Sequence, residues 1–300
     1  MGNNHSHSNH SVSGRNMAIA ILMNIIITVG QVIGGMISGS VALLSDALHN
    51  FSDVVSLILS YIANRLSKRK STEQQTYGYK RAEILSAFIN SATLIAIAIY
   101  LIVEAIERFI SPQAVNFDIV IYFAAGSILV NLVSVLILHR DSKENLNVKS
   151  AYLHLLTDVM TSVAVMAGGF IMKYLGIYRI DSILSISIAF YLIFASYKLL
   201  LDSLKILMQF SPREVDIKDI CEKITQISQI KNIHHVHLWQ LNDKEMFFEA
   251  HIDFFEDIHL SDFQNILNDI DIILHDAGIH HYNIQPEFNR DDDKSIVVQH

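Results

Sequence analysis

A single cysteine, Cys221, among 300 residues excludes an internal disulfide framework and any cysteine-rich zinc or iron–sulfur cluster. Charge is scarce as well: 17% of the side chains are charged, against about 25% in ordinary soluble domains. The 22 Lys+Arg set against 30 Asp+Glu leave a net charge of −8, so no basic excess is available to neutralise a phosphate backbone and nucleic acid is excluded as a partner. What the chain has instead is apolar surface, with 51% hydrophobic residues and a mean hydropathy of +0.34. It also has fifteen histidines, and their positions carry most of the functional information.

Counted by segment, residues 1–210 hold 15 Lys/Arg and 12 Asp/Glu, whereas residues 211–300 hold 7 and 18. Two kinds of domain share one chain. The first contains six apolar stretches, near Met17–Ile37, Val41–Asn64, Ile84–Ile106, Phe117–Leu138, Val148–Lys173 and Ile180–Leu204. A hydrocarbon core about 30 Å thick needs about 20 residues of apolar helix, which each stretch supplies. The run from Met17 is too long for a signal peptide and is followed by no small-residue cleavage site. Met1-Gly2 with Ser6 matches a myristoylation pattern, taken as chance because six spanning helices need no lipid anchor. Loop cations set the orientation. Arg15, Arg65, Lys68, Arg69, Lys70, Lys80, Arg81, Arg140, Lys143 and Lys149 fall on one side; Arg108, Lys173 and Arg179 fall on the other. Both termini are therefore expected in the cytoplasm, and the short loops favour a bacterial inner membrane. The expected organisation is a disordered His-containing tail (1–14), a six-helix transmembrane domain (15–210), a small domain (211–288) and a flexible tail (289–300).

Polar residues such as Asn24, Thr28 and Gln31 read as interhelical hydrogen-bond partners. Three carboxylates and two imidazoles stand apart: Asp46, His49 and Asp53 in the second helix, His154 and Asp158 in the fifth. On insertion scales an unpaired Asp at mid-helix costs about 2.5–3.5 kcal/mol, so three cost roughly 8–10 kcal/mol. His49 and Asp53 lie four apart, as do His154 and Asp158, so each pair shares a helix face with Cβ atoms about 5–6 Å apart. Two such helices supply two nitrogens and two oxygens, a tetrahedral set suited to Zn²⁺. Leu48-His49-Asn50-Phe51-Ser52-Asp53-Val54 and Leu153-His154-Leu155-Leu156-Thr157-Asp158-Val159 are one motif, L-H-x-x-[S/T]-D-V, used twice. Repeats flanking a midplane site recur in transporters, and two matched copies argue against mere helix-locking His–Asp hydrogen bonds. Asp46 stays open between binding metal, relaying protons and bonding His49. Because a metal takes neutral imidazole and ionised carboxylate, its binding displaces protons, which suggests exchange of a divalent cation for protons. Ligand type alone leaves Zn²⁺, Cd²⁺, Co²⁺, Fe²⁺ and Mn²⁺ open.

Beyond Ser211-Pro212 the pattern reads Arg213–Ile227 helix, Lys231–Leu241 and Met246–Phe255 strands, Leu260–Asp276 helix and His280–Pro286 strand, with Asn242-Asp243-Lys244 closing a hairpin. This αββαβ order predicts an open-faced sheet carrying two helices, small enough to lean on a partner copy. It holds eight histidines: His234, His235, His237, His251, His259, His275, His280 and His281. Strand alternation would put His235 and His237 on one face and His234 on the other, and the density of imidazole in an acidic domain argues that some bind metal. The tail residues His5, His7 and His10 amount at most to a weak metal-collecting arm.

Ser45–Asp53 (S-D-A-L-H-N-F-S-D), Tyr77–Ile84 (Y-G-Y-K-R-A-E-I), the fifth-helix L-H-x-x-T-D and the strand ending His237-Leu238-Trp239 together resemble the cation diffusion facilitator family, from about Gly14 to Glu287. The resemblance implies six transmembrane helices, a cytoplasmic ferredoxin-like domain, a homodimer and proton-coupled export of Zn²⁺ or a similar ion such as Cd²⁺. It assigns His49, Asp53, His154 and Asp158 to the transport site, and histidine at position 49 resembles the zinc-preferring branch. It further implies a regulatory zinc on His234, His251, His280 and Glu287, with His237 and His281 as near competitors. A loop site of some relatives is expected to be missing, since Thr72, Gln75 and Tyr79 stand in its place. Other readings fare worse. No H-E-x-x-H occurs, and four protein ligands leave no open position for a hydrolytic water, so no enzyme activity is expected. A channel would line its pore with rings of charge or carbonyls, and a purely structural scaffold is the bland alternative.

Overall fold

The computed structural model describes residues 8–139 and 146–298. Six long helices come first: α1 (Ser8–Ser38), α2 (Val41–Ser67), α3 (Ala82–Ile110), α4 (Phe117–His139), α5 (Leu146–Leu175) and α6 (Arg179–Leu207). Each contains a stretch long and apolar enough to cross a membrane. Helix α1 runs back to Ser8, so residues 8–14, expected as tail, continue the helix; no proline interrupts them. Residues 1–7, with His5 and His7, lie outside the described residues, as do Arg140 and Lys143.

The chain divides into two compact units, residues 1–61 with 89–200 and residues 62–88 with 201–300. The first inverts the usual core. Thr28, Gln31, Asn50, Ser127, Asn131, Ser162 and Ser185 are buried, while Ile26, Met36, Tyr122 and Phe194 are exposed. That is the pattern of helices solvated by lipid and held by small or polar contacts. At Gly34 a Cβ would run into the ring of Phe123, so glycine is what lets α1 and α4 approach. Between α2 and α6, Ser45 and Ser185 hydroxyls lie 2.7 Å apart. The buried Asp181 carboxylate of α6 accepts hydrogen bonds from Ser40 Oγ, Val41 N at 2.8 Å and Ala42 N at 3.4 Å. A side chain from α6 thereby caps the amino terminus of α2, whose first N–H groups have no partner within the helix.

The second unit holds the end of α2, the start of α3, the end of α6 and the C-terminal domain, built in the expected αββαβ order: α7 (Ile217–Thr225), β1 (Ile230–Gln240), β2 (Met246–Phe254), α8 (Leu260–Asp276) and β3 (His281–Glu287). Helix α7 is shorter than the anticipated 213–227 because the Asp216 side chain accepts from Lys218 N at 2.9 Å, a capping bond that starts the helix there. The sheet runs β1-β2-β3, with β1 antiparallel and β3 parallel to the central β2. Ile220 and Ile224 of α7, Ile266, Ile270 and Leu274 of α8, and Val236, Phe248 and Ile252 of the sheet share one core.

Two expectations about this domain change. His235 has φ 51° and forms a bulge: His234 pairs with His251 and His237 with Glu249. Residues 249 and 251 share a face, so His234 and His237 do as well, contrary to simple alternation; a bulge inserts one residue and resets the register. Residues 289–298, expected as a flexible tail, return to β1, where Ser295 O accepts from His235 N at 3.1 Å and Ile296 O from Val236 N at 2.7 Å. The bulge leaves those two N–H groups free of β2, and the returning segment satisfies them.

Two outcomes follow. Asp181→Ala should lower the thermal stability of the purified protein by about 1–3 kcal/mol through its unsatisfied donors, with Asp181→Asn recovering much of the loss, as read by melting in detergent. Burial pushes the Cys221 thiol up to about 11, leaving about one molecule in a thousand as thiolate at pH 8; iodoacetamide should alkylate it only after denaturation.

Candidate metal centres

In α2 and α5 the repeated motif places its histidine and aspartate one turn apart, and the two helices bring both pairs to a common point. His49 Nδ1 lies 3.6 Å from Asp53 Oδ2, and His49 Nε2 lies 3.5 Å from Asp158 Oδ1. His154 Nε2 lies 3.1 Å from Asp53 Oδ2 and 3.8 Å from Asp158 Oδ2. His49 meets the two carboxylates through different ring nitrogens; one donor atom each from His49, Asp53 and Asp158 lie within 4.8 Å of one another, close enough to hold a metal ion, while His154 meets Asp53 and Asp158 at the edge of that group. The side chain of Asp158 is fully buried, and both its oxygens and both His49 nitrogens lack a hydrogen-bond partner. Buried polar atoms without partners are rare; here a cation would satisfy them.

Asp46, left open in the sequence, faces elsewhere. Its carboxylate accepts from Gln31 Nε2 at 2.6 Å, Thr161 Oγ1 at 2.8 Å and Ser162 Oγ at 3.0 Å. Gln31 Oε1 in turn accepts from Asn50 Nδ2 at 3.0 Å, and Ser162 Oγ lies 2.9 Å from Ser127 Oγ. This buried network ties α1, α2, α4 and α5 together one turn from the histidines, so Asp46 anchors the helices that carry the ligands.

A second cluster lies in the C-terminal domain. His234 and His251 are direct partners across β1 and β2, and Asp253 is the partner of Glu287 across β2 and β3. His234 Nε2 is 3.3 Å from Glu287 Oε2 and 3.6 Å from Asp292 Oδ2; His251 Nδ1 is 2.9 Å from Glu287 Oε1. Buried His234 Nδ1 and His251 Nδ1 have no hydrogen-bond partner. The donor set of two imidazoles and two carboxylates fits a borderline divalent ion. Within the cluster, the Lys294 ammonium donates to Asp292 and holds that carboxyl below the usual carboxylate range.

Of the four residues expected here, the structure brings together His234, His251 and Glu287 and not His280. His280 precedes β3 and Glu287 ends it, which separates them by roughly 20 Å of extended strand. His280 Nδ1 lies instead 3.1 Å from His275 Nε2. The competitors are also engaged elsewhere: the His281 ring packs on Phe247, and His237 packs on His235. Asp292, which sequence reasoning missed, takes the fourth place. Its only signal was the run Asp291-Asp292-Asp293, which reads equally well as solvated tail. In the loop between α2 and α3, Thr72 and Gln75 form a backbone bridge and Gln75 Nε2 donates to the Tyr79 hydroxyl at 3.1 Å.

Residues 17–208 match the cation efflux transmembrane domain, and residues 212–288 match the cytoplasmic domain of cation efflux proteins. The chain belongs to the cation diffusion facilitator family. Within that family it is 35% identical to the cadmium, cobalt and zinc/H(+)-K(+) antiporter of Bacillus subtilis, over 100% of this chain and 96% of the relative. It is 36% identical to the zinc transporter ZitB of Pectobacterium atrosepticum, over 98% and 91%. It is 32% identical to the metal cation efflux system protein CzcD of Cupriavidus metallidurans, over 84% and 80%. The chain is thus a multi-pass membrane protein of a cation efflux family, with a cytoplasmic domain of the family's dimer type.

Calorimetric titration of the detergent-purified protein with Zn²⁺ should find two classes of site per chain. Asp158→Ala should abolish one and Glu287→Ala the other, each weakening its own site by more than about 100-fold, since losing a direct ligand exceeds the 10–100-fold cost of an outer-shell partner.

Proposed function

We propose that this protein exports Zn²⁺, and ions of similar preference such as Cd²⁺, from the cytoplasm in exchange for protons. The convergence of His49, Asp53, His154 and Asp158 on one point within the bundle carries this reading. Two nitrogen and two oxygen donors suit Zn²⁺, and each ligating atom must be free of its proton to hold it. An ordinary imidazole titrates near pH 6.5, so a more acidic outer side favours protonation and metal release, while the cytoplasmic side favours metal capture. The transported ion is substrate, and alternating access would carry it with α2 and α5. Four protein ligands leave no vacant position for an activated water, which supports transport over hydrolysis. The names of the Bacillus relative, a cadmium, cobalt and zinc/H(+)-K(+) antiporter, and of the Pectobacterium relative, a zinc transporter, support it.

The cluster of His234, His251, Glu287 and Asp292 is assigned to a regulatory divalent ion, with the chain acting as a homodimer through its cytoplasmic domain. Those four residues would hold the ion, which when bound would supply a fixed double positive charge joining β1, β2, β3 and the C-terminal segment. The preponderance of cations in the loops on one side supports placing both termini in the cytoplasm of a bacterial cell, with the transmembrane domain in its inner membrane.

Proteoliposomes loaded at acidic pH and diluted into neutral buffer should take up ⁶⁵Zn²⁺ at a rate that collapses when the pH gradient is dissipated. Asp158→Ala should reduce that rate at least about tenfold, whereas His251→Ala should retain transport at a lower rate. Gradient-independent uptake would overturn proton exchange, and normal uptake by Asp158→Ala would overturn the transport site.

A further inference from the structure

The cytoplasmic cluster already contains a cation of the protein's own. Lys294 Nζ lies 3.0 Å from Asp253 Oδ1, 3.3 Å from Glu287 Oε2 and 3.3 Å from His234 Nε2, and it pairs with Asp292. Three of these four partners, His234, Glu287 and Asp292, belong to the metal-ligating set. The ammonium therefore sits among the lone pairs that an ion bound at about 2.0–2.2 Å would need, and the two cannot share that space.

The position of Lys294 depends on the segment that carries it. Ser295 O and Ile296 O accept from the amides of His235 and Val236 in the β1 bulge, and the Ile296 side chain packs against the domain core. Ser295 N and Oγ both bond Asp293 Oδ1, at 2.9 and 2.6 Å, which closes the turn that presents Lys294. Arg290 NH1 reaches Glu287 Oε1 at 3.0 Å, so two cations face three carboxylates. A compact ammonium is strongly hydrated and exchanges readily into water, whereas a divalent ion brings twice the charge and takes the imidazole as a ligand.

We propose that Lys294 is an internal cation competing for the cytoplasmic metal site, so that a divalent ion binds by displacing its ammonium group and loosening residues 294–298 from β1, while Asp292 stays on the ion. This rests on the assignment of that site to a metal. Its consequence is twofold. The site fills only above a cytoplasmic metal concentration set by the lysine, and filling it changes the C-terminal segment, which then reports metal status.

The test uses the full-length protein carrying Asp158→Ala, so that only the cytoplasmic site responds to Zn²⁺. Trypsin cleavage after the native Lys294, read by mass spectrometry as release of Ser295–His300, should be slow without metal and accelerate when Zn²⁺ is added. Calorimetry should show Lys294→Met binding Zn²⁺ about tenfold tighter, within the usual range of coupling between linked events, and Lys294→Arg binding it no tighter than lysine. Unchanged cleavage with Zn²⁺ demonstrably bound, or equal affinity in all three proteins, would overturn the displacement while leaving the metal site intact. Failure of the protein with its native Lys294 to bind Zn²⁺, together with failure of a folded Lys294→Met to bind it, would instead overturn the site and the displacement together. The cleavage assay needs no change at position 294, so it decides the matter even where Lys294→Met fails to fold.

Discussion

The carboxylate of Asp158, wholly buried and without a hydrogen bond to either oxygen, is the constraint on which the transmembrane architecture turns. An unsatisfied charge in an apolar medium is among the costliest arrangements a protein can hold, and a helix packed in a bundle cannot turn a single residue toward water. Such a group persists only where its surroundings supply positive charge at some stage of function. His49 and His154 lie 3.5 and 3.8 Å from it, both also facing Asp53, and the next layer is tied down more firmly still. Asp46 takes three hydrogen bonds from α1 and α5, and Asp181 clamps the amino terminus of α2. The ligands are left short of partners while the Asp46 and Asp181 carboxylates are well supplied with donors.

Two clusters with the same donors, imidazole and carboxylate, arise here from different secondary structure. In the bundle, a four-residue spacing within each of two helices makes the set, so its geometry follows any relative movement of α2 and α5. In the C-terminal domain three of the donors come from three neighbouring strands, whose separation is set by the backbone ladder, and the fourth, Asp292, from the segment after β3. The first arrangement suits a site whose ligands must separate to release an ion, and the second suits one that stays assembled. Lys294 adds to the second a cation on the chain itself.

Much of this was legible in the residues. Apolar runs of helical length gave the six spans within a few residues at most ends, because membrane thickness leaves little freedom in helix length. The L-H-x-x-[S/T]-D-V repeat pointed to the bundle's cluster, of which His49, Asp53 and Asp158 come within metal-binding reach of one another and His154 stands at its edge, because a helix converts sequence spacing directly into a shared face. In the C-terminal domain the same style of reasoning reached the order of elements, His234, His251 and Glu287, and then misplaced the fourth ligand. His280 is close to Glu287 in sequence and at the far end of β3 from it in space, while Asp292 reaches the site only because the chain turns back after β3. The bulge at His235, which returns His237 to the face of His234, leaves no mark in the pattern of residue types, since its positive φ falls on a histidine and not on a glycine.

From the sequence alone came the class of molecule, the number and extent of its membrane helices, and the chemistry of its ligands. These are properties of composition and of short-range spacing, which the period of a helix and the thickness of a bilayer translate into structure without reference to distant parts of the chain. The tertiary structure decided which of the candidate donors meet. It turned Asp46 toward Gln31, Thr161 and Ser162, paired His280 with His275, and brought Asp292 and Lys294 from the tail into the cluster on the sheet. Those outcomes depend on strand register, a bulge and a reversal of the chain, each the product of contacts between segments far apart in sequence.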